Sequence, residues 1–245
     1  MSDNKKKLSS ATLLGASIRL FIVALVAVST ITFAWFTISD NTRVSMLSMD
    51  VTTGKSLRID VEPHDLYEDY KQSLPWADIN DYVKAHRNVD YDTVPLVPVT
   101  SNDAKNFYTQ KGAPVYTDQL QYIEYVLHFK SQDHVLVHLT EANSAQADDG
   151  TKILSPTPAL PGAMRVGFEM PDGSVHIYRT NSNIDYMQQD KSTMLFDLPA
   201  DTDLPVTVRI WIEGTDPACT NALKGKDYTL MMRFIATDMD FRSIE

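Results

Sequence analysis

A single cysteine, Cys219, excludes an intramolecular disulfide framework and a cysteine-rich zinc site. Nine glycines and twelve prolines in 245 residues are too few for a collagen-like or low-complexity chain. Basic residues are the minority charge. Lys and Arg number 22 against 32 Asp and Glu, a net charge of −10, which argues against a nucleic-acid-binding surface. His-Glu-x-x-His, Gly-x-Ser-x-Gly and glycine-rich phosphate loops are all missing, so no zincin protease, hydrolase elbow or nucleotide site is signalled. The chain therefore reads as a non-enzyme with no cofactor. What is present is 43% hydrophobic residues, too many for a disordered chain and enough for one large domain or two small ones.

The one long apolar run stands at the start. Lys5, Lys6 and Lys7 precede Ala11 to Phe36, which is apolar or small apart from Arg19. Its uninterrupted part, Leu20 to Phe36, is 17 residues, short of the roughly 20 that a spanning helix needs. It suits the apolar region of an export signal. Thr32-Phe33-Ala34 puts small side chains at positions −3 and −1 of a cut between Ala34 and Trp35. Residues 1–34 are thus expected to be a signal peptide, the alternative being an uncleaved membrane anchor with its positive end inside. Either way residues 8–36 meet the membrane at least transiently, and the expected location is extracellular or at the cell surface. Cleavage removes four of the 22 basic residues and one of the 32 acidic ones, leaving 18 against 31 and a net charge of −13. A type IV pilin helix is disfavoured, because no Glu lies in Phe21–Thr32.

Beyond Phe36 the hydrophobic period is two. Ser56–Val61 alternates Leu57, Ile59 and Val61 with Ser56, Arg58 and Asp60. Tyr122–Phe129, Val135–Leu139, Thr193–Leu198, Val206–Ile212 and Tyr228–Ala236 are rich in β-branched or aromatic residues. Arg165–Met170 and Val175–Arg179 flank the turn Pro171-Asp172-Gly173-Ser174. With Val44–Val51 and Val94–Val99 this makes about ten strands, an all-β pattern that predicts an antiparallel β-sandwich of jelly-roll type behind an N-terminal apolar helix. Residues 35–245 are expected to form one domain. Pro63–Asp92, polar and acidic, reads as an insertion with a short helix at Ala77–Arg87. Glu141–Pro161 reads as a mobile loop.

His128, His134 and His138 look like a cluster, but His134 and His138 are four apart, roughly 13 Å along a strand, so they do not make a metal site. Pairs such as Glu68/Asp69 and Asp148/Asp149 read as solvated surface charge. In Val208–Pro217, Trp211 alternates with Ile210 and Ile212. It is expected to cover a sheet, with Gly214, Asp216 and Pro217 turning the chain; the sharper alternative is a sugar-stacking Trp.

Three places resemble one family. Thr32-Phe33-Ala34-Trp35-Phe36 resembles the Thr-x-Ala-x-Phe cleavage region of the TasA/camelysin family of exported bacterial proteins, which is processed by a SipW-type signal peptidase. Val44–Val51 and Leu57–Val61 look like that family's first strands. Phe234-Ile235-Ala236-Thr237 is similar to the Phe-x-Ala-Thr pattern of its closing strand. The resemblance covers the two ends; Pro63–Asp92, the Trp211–Asp216 strand end and Arg19 depart from it. It implies a jelly-roll subunit of extracellular biofilm fibres, partnered by signal peptidase and by copies of itself. Assembly would be by donor-strand exchange, with Phe36, Ile38, Val44 and Met46 in the donated segment. A membrane-anchored monomeric adhesin or ligand-binding domain is the alternative.

Processing follows from Thr32 and Ala34. Ala34→Asp is expected to leave the precursor uncleaved and bound to membranes. Release of that variant into the medium at normal size, measured by mass spectrometry, would move the cut elsewhere.

Overall fold

The computed structural model describes Phe21 and residues 44–53, 56–141 and 150–244. Contacts divide the chain into Met1–Ile38 and Ser39–Glu245. Of the first unit only Phe21, in helical conformation, is described; the expected apolar helix otherwise lies outside the described residues. Among the described residues no helix is long and apolar enough to cross a membrane.

The second unit is built from strands, in mainly antiparallel sheets. The first sheet runs in the order β11 (Met194–Leu198), β7 (Val135–Leu139), β13 (Lys226–Thr237), β1 (Val44–Thr53), β3 (Ser73–Pro75), with β8 (Lys152–Leu154) also paired to β13. The second runs β10 (Val175–Tyr178), β9 (Met164–Glu169), β12 (Leu204–Ile212), β6 (Ile123–Lys130), β2 (Arg58–Asp60). A short hairpin, β4 (Phe107–Tyr108) with β5 (Pro114–Val115), stands apart from both.

Side chains of both sheets meet in one hydrophobic cluster. Phe234 of β13 makes edge contacts with Phe129 of β6 at 5.0 Å and Phe168 of β9 at 5.7 Å between ring centroids. Phe129 meets Phe196 of β11 at 5.2 Å. The alternation that marks the strands in sequence is what aims these rings inward. In β12, Val206, Val208, Ile210 and Ile212 are buried in this cluster, and in β13 so are Tyr228, Leu230, Met232 and Phe234. Each such side chain contributes about 1.5–3 kcal/mol by leaving water.

Helix α1 (Trp76–Arg87) lies within the expected insertion. It buries Trp76, Ile79, Asn80 and Val83, the i, i+3, i+4, i+7 face of a helix packed on one side. Asp78 in its first turn and Lys84, His86 and Arg87 in its last complement the helix dipole, and Asn88 ends it in the left-handed conformation. Asn80 donates to Asp90 at 3.0 Å and accepts from the Tyr91 amide at 3.0 Å, which ties the following loop to the helix.

Three expectations need correction. Val94–Val99 forms no strand; Pro95 and Pro98 remove two amide donors, and the segment makes only isolated bridges, such as Val99 N to Ile212 O at 3.0 Å. The expected loop at Glu141–Pro161, of which residues 142–149 lie outside the described residues, also contains β8 and the start of a five-residue helix, α2 (Ala159–Ala163). Finally, not every pair is antiparallel: β1 runs parallel to β13, with a bulge between Met46 and Ser48.

Gly167 of β9 is required by a close approach. A Cβ there would lie 2.5 Å from Cβ of Ala104 and 3.1 Å from the Trp211 ring. Gly167→Ala is expected to lower stability by about 1–3 kcal/mol through overpacking. Adding Ala104→Gly should recover much of that loss, because it removes the opposing methyl and Ala104 itself sits at φ 52°. Urea midpoints of the two variants and the parent check this.

Candidate functional site

The second sheet is covered on its outer face as well. Residues 97–122, including the β4–β5 hairpin, fold across it and bury a satellite cluster of Val99, Ala104, Phe107, Val115, Tyr122 and Trp211. Trp211 is fully buried. Phe107 meets it edge-on at 5.3 Å and stacks on Tyr122 at 4.0 Å. Trp211 thus covers the sheet and has no face free for a sugar.

Beside this cluster Arg209 bridges two strands. Its Nε donates to Glu124 at 2.6 Å, and its Nη1 donates to Glu169 at 2.6 Å and to the Ala104 carbonyl at 2.9 Å. Burial raises the Glu169 carboxyl, but hydrogen bonds from Arg209 and Lys105 outweigh it and hold the group below the usual carboxylate range. The loop that carries Ala104 is fixed by Asp103, which accepts from Ser101 Oγ at 3.2 Å, the Lys105 amide at 2.9 Å and the Asn106 amide at 2.8 Å. Burial acts upward on Asp103, yet these donors and the Asn106 side chain bring it down to about 2.

Glu213, just past β12, joins the covering segment to the sheet. It is buried and accepts from the Ser101 amide at 3.2 Å, Trp211 Nε1 at 3.1 Å, and the Thr215 amide and hydroxyl at 3.1 and 2.7 Å. Burial pushes this carboxyl up, and the bonds from Thr100, Thr215 and Trp211 pull it below its ordinary value, so it stays ionised.

Where this segment, β10 and the end of β12 meet, the chain leaves a cleft of 570 Å³. Four stretches line it: Ser101 and Asn102, Arg165 of β9, Ile177 to Ile184 at the exit of β10, and Trp211 to Pro217. Arg165 is buried at one wall. Its guanidinium donates to the carbonyls of Gly162 at 2.6 Å and Met164 at 2.8 Å and pairs with Asp216. Arg179 lines the same cleft and is exposed. The sequence reading singled out Gly214, Asp216 and Pro217 only as a turn. It missed Arg165, Arg179, Asn102 and Asn183 because nothing local marks them.

The residues expected to act in export and assembly divide differently. Thr32, Ala34, Trp35, Phe36 and Ile38 lie outside the described residues. Val44 and Met46 are in β1, opposite Lys226 and Tyr228 of β13. β1 pairs with β13 at nine positions and with β3 at three. The residues after β1 cross to the other sheet, where β2 pairs with β6, so β1 belongs to no hairpin.

The three histidines go to different partners. His128 meets Asp203 at 2.9 Å, His134 meets Asp197 at 2.5 Å, and His138 lies between the hydroxyls of Thr193 at 3.1 Å and Thr237 at 2.9 Å. Among the described residues no three His, Cys, Asp or Glu converge as metal ligands. Cys219 is buried, and burial raises its thiol to about 11, which leaves it protonated.

No protein-family model, curated protein or solved structure matches this chain.

His138 generates a pH prediction. Burial lowers its pKa from 6.5 to about 4, against a weaker upward pull from Asp190. The folded state therefore holds the ring neutral, while the unfolded chain takes up the proton first. The contribution is fully present above pH 6.5 and is lost as pH falls from 6.5 toward 4, by roughly 2–3 kcal/mol. Urea unfolding at pH 7 and pH 4.5 should show a smaller drop for His138→Gln than for the parent. Equal drops would mean that His138 titrates normally.

Proposed function

We propose that this chain is an exported structural protein of the cell surface or biofilm matrix, a fibre subunit that assembles by donor-strand exchange. The observation that carries the reading is the seat of β1, paired in parallel with β13 and in no hairpin of its own. A strand held that way can be supplied by a second copy, which would take over its pairing with β13 at nine positions and with β3 at three. Its departure would leave the edge of β13 with unpaired amides and carbonyls, which an incoming strand satisfies. Because donor and acceptor are different surfaces, the contact is head-to-tail and need not close, which yields a filament. The two sheets, joined through Phe129, Phe168 and Phe234, are read as the layers of a jelly-roll-like sandwich.

The donated segment is 35–51. Burial of Phe36 and Ile38 in the neighbour would add about 1.5–3 kcal/mol each to the strand hydrogen bonds. A second reading, a membrane-anchored monomer, is favoured by the same strand, since β1 is already satisfied within its own chain.

The two readings part on one experiment. The chain beginning at Trp35 and the chain beginning at Thr42 are concentrated and viewed by negative-stain electron microscopy. Filaments from the longer chain and folded monomers from the shorter are expected. Filaments of equal length from both exclude donation by 35–41, and none from either favours the anchored monomer.

A further inference from the structure

The cleft beside Trp211 is not used by strand exchange. Its 570 Å³ lies within the range of small-ligand sites. The stretches that carry its walls are tied to one another. Thr180 Oγ1 donates to the Pro161 carbonyl at 3.1 Å, the Ser182 amide donates to the Arg179 carbonyl at 3.2 Å, and Gly162 sits so close to Ala218 that a Cβ there would meet it at 3.3 Å.

The charges in the cleft are unequally occupied. Asp216 is engaged by Arg165, and Glu213 is saturated by Ser101, Trp211 and Thr215. Arg179 has no carboxylate partner among the described residues, on a chain whose net charge is −10. The cleft thus presents one available guanidinium, the group best shaped to take a carboxylate through two parallel hydrogen bonds. Around it stand Asn102, Asn183, Ser182 and Thr215. The Asn102 and Asn183 amides can both donate and accept, as a ligand rich in vicinal hydroxyls requires, while the hydroxyls of Ser182 and Thr215, which donate to the Ile184 carbonyl and to Glu213, can still accept. Ile177, Ile184 and Pro217 add a small apolar wall.

We propose that this cleft binds a carboxylate-bearing saccharide, with Arg179 on the carboxylate and Asn102 and Asn183 on the ring hydroxyls. With no exposed aromatic platform, affinity rests on the charge and the polar ring, so removing either has a large relative effect. A neutral saccharide lacks the first contact, and an acidic peptide lacks the second.

The test is isothermal titration calorimetry on the full chain in mild detergent with three probes: trigalacturonate, its methyl ester, and a tri-aspartate peptide. Trigalacturonate is expected to bind about tenfold more tightly than the ester, the loss of one charge-assisted contact. Arg179→Gln should weaken the acid about tenfold and leave the ester unchanged, with no change in Tm, because the residue is exposed. Asn183→Ala should weaken acid and ester alike. Equal affinity for acid and ester, no binding of either at millimolar concentration, or an unaffected Arg179→Gln overturns the proposal. Tri-aspartate binding as tightly as trigalacturonate overturns the saccharide and leaves only a carboxylate site.

Discussion

Strand β13 must have a partner on each of its edges, and the first sheet is arranged around that requirement. One edge is shared by β7, at Phe234 to Thr237, and β8, at Thr229 to Met231. The other is taken by β1 over most of its length. β13 also carries Phe234, the ring that reaches Phe129 and Phe168 of the opposite sheet. A buried backbone amide or carbonyl without a partner costs as much as a lost hydrogen bond, so β13 cannot stand with one edge bare. On the proposed reading, whatever fills the β1 position therefore decides whether the domain is closed on itself or linked to a neighbour.

The second sheet solves a different problem. Its inner face is apolar, and its outer face carries Trp211, Arg209, Glu124 and Glu169, which neither water nor a second sheet covers. The segment 97–122 does so instead. The charged groups it covers are compensated in place: Arg209 by the carboxylates of Glu124 and Glu169, and Glu213 by the Trp211, Ser101 and Thr215 donors. Buried charge is tolerated only with such compensation. The cleft is what remains at the margin of this cover, where β10 ends and the covering segment stops. Its lining is polar, and most of the charged groups in it are already paired: Arg165 with Asp216, and Glu213 with Ser101, Trp211 and Thr215.

The proposed strand exchange and the proposed ligand cleft would engage different parts of the domain. The first uses the edge of β13 in one sheet, and the second uses the exit of β10 and the outer margin of the other. A subunit that donated β1 would keep the pairing of β9, β10 and β12 that frames the cleft, so a fibre of such subunits would repeat the cleft once per copy.

The alternation in Val135–Leu139, Val206–Ile212 and Tyr228–Ala236, the turn at Gly173 and the helix ending at Arg87 were legible in the chain, because each is set by neighbours two to four residues apart. Trp211 as a cover for the sheet was legible for the same reason, since Ile210 and Ile212 claim the opposite face. Prolines at 95 and 98 already carried the signal that no strand runs through Val94–Val99. The parallel pairing of β1 with β13, the short strands β3 and β8, and the meeting of Arg165, Arg179, Asn102 and Asn183 were not legible. They depend on register between segments far apart in sequence, and no local spacing records which distant edge or loop a residue will face. The sequence by itself determined the β-rich class, the strand faces and the acidic charge. Only the tertiary structure decided which edges pair, what covers the second sheet and where, among the described residues, Arg179 stands without a carboxylate partner, because those are settled by satisfying the backbone and burying both faces at once.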